Sequence, residues 1–267
     1  TSKLNIQKID RTIIIIPAEL TVTTPDASMV YNGTPLTKDG TISGFVNQET
    51  ATFTTTGSQR AVGSSPNTYS LNWNGSADPA NYTINETIGT LTVTENTEQI
   101  VVTTTGGSFT YDGKPHGATV SVSTLPTGYS LETAASNASA TNVTAAAVTA
   151  TCDTLVIRNA EGDDVTSKLN IQKIDGTIAI TPAPLNVVTT SASKIFNNLA
   201  LTAPGTITGM VEGETYTFTV TGAQTAVGSS ANTYTLEWNG TALKSNYTVT
   251  ESIGTLAVTA SNENAVL

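Results

Sequence analysis

The sequence predicts an all-β chain of tandem small domains, Ig-like β-sandwiches or β-grasp-like sheets, arranged as a rod. Three observations predict it. Residues 17–94 and 182–259 align without a gap, with 46 of 78 positions identical, which is the signature of a repeat architecture. Apolar and polar residues alternate over short stretches, the period of a strand with one buried face. No stretch carries an amphipathic helical period of useful length, and Asn-Gly, Asp-Gly and Pro-bearing turns punctuate the chain.

The repeat fixes the expected order. A first A unit, A1, spans residues 17–94; a different unit, B, spans 95–181; a second A unit, A2, spans 182–259. Thr1 to Asp10 is identical to Thr166 to Asp175, and Glu263 to Leu267 falls in register with Glu98 to Val102. Residues 1–16 therefore read as the terminal strand of a preceding B-type repeat and residues 260–267 as the start of a following one, so the chain is expected to be a window on a longer array. The units have the ordinary size of a small module. Pro17-Ala18, Pro182-Ala183-Pro184 and Glu95 to Glu98 are the linkers; proline fixes φ, and such short junctions predict stiff end-to-end stacking.

Within each A unit the strands follow in order. Ala51 to Thr56 and Tyr216 to Thr221 alternate. Thr68 to Trp73 places Tyr69, Leu71 and Trp73 on one face, and Thr233 to Trp238 places Tyr234, Leu236 and Trp238 there. Gly89 to Thr94 and Gly254 to Thr259 close the units. Threonine is abundant because its β-branched carbon suits a strand while its hydroxyl faces water. Asn32-Gly33 and Asp112-Gly113 are hairpin-type dipeptides that accept positive φ, matched in A2 by Asn197-Asn198; Asn74-Gly75 and Asn239-Gly240 read the same way. Gly40, Gly44, Gly57, Gly63, Gly75 and Gly89 recur in A2. The positions that both A units keep are glycines, aromatics and aliphatics, which are fold residues. The shared acidic residues are Glu49/Glu214 and Glu86/Glu251.

Composition excludes several functions. The net charge is −10, with 11 Lys and Arg, so no basic stripe exists for nucleic acid. No apolar run reaches membrane-spanning length. Cys152, the single cysteine, reads as a small buried residue on a strand and can form no internal disulfide. His116, the single histidine, lacks a nucleophile or metal-ligand companions and reads as an exposed loop residue after Lys114-Pro115. Glu161-Gly162-Asp163-Asp164 lacks the spacing of a calcium loop and reads as a solvated turn. Lys168 and Lys173, which recur as Lys3 and Lys8, are the lysines open to an isopeptide bond in B; Lys38 and Lys194 are not matched between the A units. No catalytic, cofactor or metal residue is expected, and the chain does not read as an enzyme. Trp73, Tyr82, Trp238 and Tyr247 are the candidates for stacking on sugar rings, weighed against the ordinary role of tryptophan in a sheet core.

Several spaced motifs carry a family resemblance. They are Val30-Tyr31-Asn32-Gly33, Gly40-Thr41-Ile42-Ser43-Gly44, Val62-Gly63-Ser64-Ser65 and Asn81-Tyr82-Thr83 in A1, with Phe109-Thr110-Tyr111-Asp112-Gly113 in B. The chain resembles the MBG-type repeat domains of large bacterial cell-surface adhesins. The resemblance implies all-β modules in an extracellular, cell-wall-associated or secreted protein, with host glycans or mucin as partners. A2 departs from it at Phe196-Asn197-Asn198, which leaves the hydroxyl of Tyr31 without a counterpart. The expected function is a non-catalytic stalk of a surface adhesin; the alternatives are glycan or mucin binding by each module and a filament assembled by strand exchange. Ile14 and Ile16 replace Ala179 and Thr181, so segment 1–16 is apolar on both faces and is expected to dock on A1 or on a neighbouring copy. A polar pocket converging at matching places in both A units would argue against a purely structural role.

Overall fold

The computed structural model describes residue 4 and residues 7–261. A1 carries β1 (Ala18–Thr24), β2 (Ala27–Val30), β3 (Thr41–Ser43), β4 (Thr52–Thr55), β5 (Gly63–Pro66), β6 (Tyr69–Asn72), β7 (Tyr82–Ile88) and β8 (Thr90–Thr94). B carries β9 (Ile100–Thr105), β10 (Gly107–Thr110), β11 (His116–Gly117), β12 (Thr119–Val122), β13 (Tyr129–Ala135), β14 (Ser139–Ala140), β15 (Val148–Ala150), β16 (Thr154–Asn159), β17 (Ile171–Ile174) and β18 (Gly176–Thr181). A2 carries β19 (Ala183–Thr189), β20 (Ala192–Ile195), β21 (Gly205–Thr208), β22 (Thr217–Val220), β23 (Gly228–Ala231), β24 (Tyr234–Glu237), β25 (Tyr247–Ser252) and β26 (Thr255–Thr259).

One topology serves all three repeats. In A1 the sheets are β3-β1-β7, β2-β8-β5 and β4-β6; in A2 they are β21-β19-β25, β20-β26-β23 and β22-β24. B repeats the two three-stranded sheets as β12-β9-β17 and β10-β18-β15, although its sequence aligns with neither A unit without gaps. Period-2 patterning explains the layering: Leu20, Val22, Leu91 and Val93 are buried while their neighbours along β1 and β8 face outward. The helical segments among the described residues are the three-residue 3₁₀ turns Pro79–Asn81, Thr166–Lys168 and Lys244–Asn246. A β-grasp needs a helix laid across its sheet, so the modules are sandwiches.

The two sheets of a module are stitched by chain that changes sheet. β1 and β7 pair in parallel with Leu20 opposite Ile84, and the same two runs continue as the parallel pair β2 and β8 with Ala27 opposite Leu91. The change falls at Pro25-Asp26 on one run and at Gly89 on the other. A Cβ on Gly89 would lie 2.5 Å from Thr24 O and closer still to the Pro25 carbonyl, so only glycine fits. The crossing is pinned by polar bonds: Gly89 N donates to Thr24 Oγ1 at 3.0 Å. Buried Asn67 donates its Nδ2 to Pro25 O at 3.1 Å and to Lys38 O at 2.9 Å. A2 repeats every part with Gly254, Thr189 and Asn232.

Several expectations need correction. Asn32-Gly33 and Asp112-Gly113 do adopt positive φ at the glycine (78° and 76°), as does Asn198 at 59°. They do not close hairpins, because β2 pairs with β8 and β10 pairs with β18. Gly75 keeps negative φ; it is glycine because Thr50 O lies against it, whereas Gly240 does take φ of 85°. Cys152 is buried, but in the loop between β15 and β16, where its thiol donates to Thr154 O at 3.3 Å. His116 sits in β11, half-buried, stacked on Phe109 with ring centroids 4.1 Å apart.

The expected docking of segment 1–16 on A1 is not seen among its described residues. Residues 7–16 join no strand, and Ile13 and Ile15 are 87% and 90% exposed. Their copies Ile178 and Ile180 are buried because β10 and β15 flank β18 within B; A1 offers no such pair of strands to this segment. Residues 1–3, 5, 6 and 262–267, which carry the rest of the two terminal B-type segments, lie outside the described residues.

The chain divides into two compact units. One holds the residues up to Ile100 with 124–132 and 156–170; the other holds 101–123, 133–155 and the residues from Ile171 on.

Candidate functional site

The candidate site is the pair of joints, each built on a Tyr-x-Gly turn. The turn follows β2 in A1 and β10 in B, and a side-chain carbonyl holds it. Asn32 Oδ1 accepts Thr34 N at 2.9 Å, and Asp112 Oδ1 accepts Lys114 N at 2.9 Å. Asp112 also meets His116 Nε2 at 3.0 Å, and the Lys114 amide and His116 hold its carboxyl below the usual range. The turn thereby throws the preceding tyrosine toward the next repeat.

At the B–A2 joint, Tyr111 Oη donates to Glu214 Oε1 at 2.5 Å. The other oxygen of Glu214 accepts the hydroxyl of Tyr247, which in turn accepts Val211 N at 3.0 Å. One carboxylate therefore takes two tyrosines, one from each side, whose rings meet edge-to-face at 5.6 Å. Asn246, fully buried, accepts Val143 N and donates to Asn142 Oδ1, both at 3.0 Å. Only Pro182 separates β18 from β19. The core does not stop there: Ala150, Ile178 and Ile180 of B and Ala183, Leu185 and Tyr247 of A2 form one buried cluster with Tyr111.

The A1–B joint uses the same device with different parts. Tyr31, 2% exposed, donates to Glu161 Oε2 at 2.6 Å and accepts Ala160 N at 2.9 Å. Arg60 Nε lies 2.9 Å from Glu161 Oε1 and donates to Gly33 O at 3.1 Å. A Cβ on Gly33 would lie 2.9 Å from Gly128 Cα, so the two loops touch backbone to backbone. Tyr129 packs on Tyr31 at 5.2 Å. Beside it lies a cleft lined by Val62, Glu95, Asn96, Tyr129, Asp163 and Lys168. Burial first, and the facing carboxylate second, push the hydroxyls of Tyr31, Tyr82 and Tyr111 above the ordinary tyrosine value.

Residues 20–92 match the family model of the MBG domain, YGX type. The matched residues lie within A1. No curated protein matches the chain. A similar solved structure is the I9–I11 tandem of titin, 11% identical over 93% of this chain and 99% of that one, with a TM-score of 0.25. The Tyr-x-Gly turn at Tyr31 to Gly33 lies within the matched residues and is the part that reaches Glu161.

The sugar-stacking candidates fall into two classes. Tyr82 and Tyr247 are 8% and 6% exposed, with their hydroxyls on Glu49 and Glu214. Trp73 and Trp238 are half-buried and stack on them at 5.9 and 5.5 Å. Each tryptophan borders an open groove between β6 and β7 or between β24 and β25. Tyr69, Leu71, Trp73, Ile84 and Glu86 line one; Tyr234, Leu236, Trp238, Val249 and Glu251 line the other. Tyr69 donates to Glu86 Oε1 at 2.5 Å, Tyr234 donates to Glu251, and burial then the carboxylate push both hydroxyls up to about 12. Grooves walled by aromatic and aliphatic side chains, each with one glutamate, therefore recur at matching places in A1 and A2.

Sequence reasoning missed the joint acceptors. Glu214 and Glu49 carried a signal, since they are one of the two acidic pairs that both A units keep. Glu161 carried none, because its B context occurs once in full, and it read as part of a solvated turn. Lys173 Nζ donates to Cys152 O at 2.9 Å, so that ammonium is engaged with a backbone carbonyl. No helix among the described residues is long and apolar enough to cross a membrane.

Proposed function

We propose that this chain is a non-catalytic, load-transmitting stalk segment of an extracellular bacterial surface protein, in which consecutive modules are locked and not loosely strung. The observation that carries this reading is the buried cluster that runs without a break from Ile178 and Ile180 through Ala183 and Leu185 to Tyr247. A flexible linker would leave these side chains in water; burying them across the joint opposes bending through the hydrophobic effect. The MBG match of A1 supports a place in a repeat-containing protein, and the surface location is proposed on that resemblance alone. Small-angle scattering of the chain and of a Tyr111→Ala/Glu214→Ala variant tests it. A single narrow distance distribution that broadens in the variant is expected; an already broad distribution in the unaltered chain would overturn the reading.

A second reading rests on the matching grooves beside Trp73 and Trp238. An aromatic platform next to a carboxylate suits a neutral glycan, and two copies would add avidity. Glycan-array binding that is lost in Trp73→Ala/Trp238→Ala, with the fold intact, would favour it. Silence of the unaltered chain on the array leaves the stalk.

A further inference from the structure

The B–A2 joint is a template for a face that A1 leaves exposed. The seat that A2 offers to B consists of Val211, Glu214, Asn246 and Tyr247. A1 carries the same four residue types as Val46, Glu49, Asn81 and Tyr82, although 32 of the 78 aligned positions differ. The inner half of the seat is already assembled in A1: Tyr82 Oη donates to Glu49 Oε2 at 2.6 Å and accepts Val46 N at 3.2 Å. The outer half is open. Asn246 is fully buried, whereas Asn81 is exposed and Val46 is 44% exposed. A groove follows this face past Ile15, Ile16, Val46, Glu49 and Asn81.

We propose that this face of A1 is the seat for the Tyr-Asp-Gly turn of a B-type module joined directly ahead of Pro17. The occupant is set by chemistry. Beside Glu214 the same position takes a neutral phenol donor, and Gly113 brings the turn to Val211 Cγ1 without a side chain between them. A turn that begins with phenylalanine, as at Phe196, has no donor for the carboxylate. The approach is also set: Thr1 to Asp10 repeats Thr166 to Asp175, and residues 11–17 reach A1 with the spacing by which 176–182 reach A2. Ile13 and Ile15, at 87% and 90% exposure, take the positions of Ile178 and Ile180, at 0% and 2%. Both the seat and the segment leading to it therefore lack the cover that the second joint has.

The inference rests on the joints being closed, and one experiment separates the two. A copy of residues 95–165 is added ahead of residue 1, so that residues 1–16 complete a B module, and hydrogen exchange is followed over residues 45–49 and 79–82. Exchange there is expected to slow about tenfold or more against the 267-residue chain and to approach that over 210–214, at every concentration. Replacing the added copy of Tyr111 by alanine is expected to restore fast exchange. In a second chain, residues 17–94 also replace 182–259, so that the existing B module meets the A1 face. If the added module shows no protected strands, this chimera decides. Unchanged exchange over 45–49 in a folded lengthened chain, or a chimera whose joint exchanges fast or does not fold, overturns the proposal. Slowing that appears only as concentration rises assigns the face to a second copy and overturns it too. Fast exchange over 210–214 in the unaltered chain would instead strike the closed joint itself.

Discussion

A tyrosine hydroxyl facing a glutamate recurs at Tyr31–Glu161, Tyr69–Glu86, Tyr82–Glu49, Tyr111–Glu214, Tyr234–Glu251 and Tyr247–Glu214. An ionised acceptor makes these bonds stronger than neutral ones. It also makes them sensitive to alkali. Tyr69 and Tyr234 are pushed up to about 12 in the folded chain, and an unfolded tyrosine ionises near 10. A raised pKa contributes stability that is whole below about pH 10 and is lost as pH climbs through about 12. The thermal midpoint is therefore expected to stay level from about pH 7 to 9 and to fall above about pH 10, and Tyr69→Phe/Tyr234→Phe to flatten that fall. A midpoint with the same alkaline slope in the variant would contradict this. Asn67 is fully buried and donates to two backbone carbonyls on different loops. Asn67→Ala leaves both acceptors without it and is expected to cost about 1–3 kcal/mol in urea denaturation.

The elements that sequence made legible are those with strong alternation. Tyr69 and Leu71 lie along β6, Trp73 follows it directly, and the three line one groove; Leu91 and Val93 are the buried face of β8. The change of sheet was not legible, because it depends on a close backbone approach at Gly89 that no local pattern announces. The recurrence of Gly89 as Gly254 marked the position as structural without saying why. Gly89→Ala is expected to destabilise by about 1–3 kcal/mol or more, since the new Cβ meets backbone that cannot rotate away. Gly162→Ala is the control: nothing lies within 4 Å of its Cβ, its φ is 91°, and a cost of about 1 kcal/mol is expected from the backbone alone. Equal losses at the two sites, read as shifts in denaturation midpoint, would contradict the steric account. His116 was misread because its loop context hid Phe109, which is close in sequence but brought face to face only by the turn at Asp112 and Gly113.

At the scale of the chain, the repeat was legible from the sequence and the joints were not. Gap-free alignment of the A units locates Glu214, but its role depends on Tyr111, which comes from a repeat of different sequence. The short proline-bearing linker at residue 182 pointed to stiffness; the structure adds an apolar cluster buried around it. Glu214→Ala removes the acceptor shared by Tyr111 and Tyr247, and is expected to loosen the B–A2 joint by about 2 kcal/mol while each module stays folded. Site-resolved hydrogen exchange of Ile178 and Ile180 on one side and Leu185 and Val187 on the other tests that joint most directly. In the unaltered chain the two sides are expected to open together with one free energy, and in Glu214→Ala to separate into two. Two sides that open independently in the unaltered chain, with values that Glu214→Ala does not change, would show that B and A2 are merely adjacent.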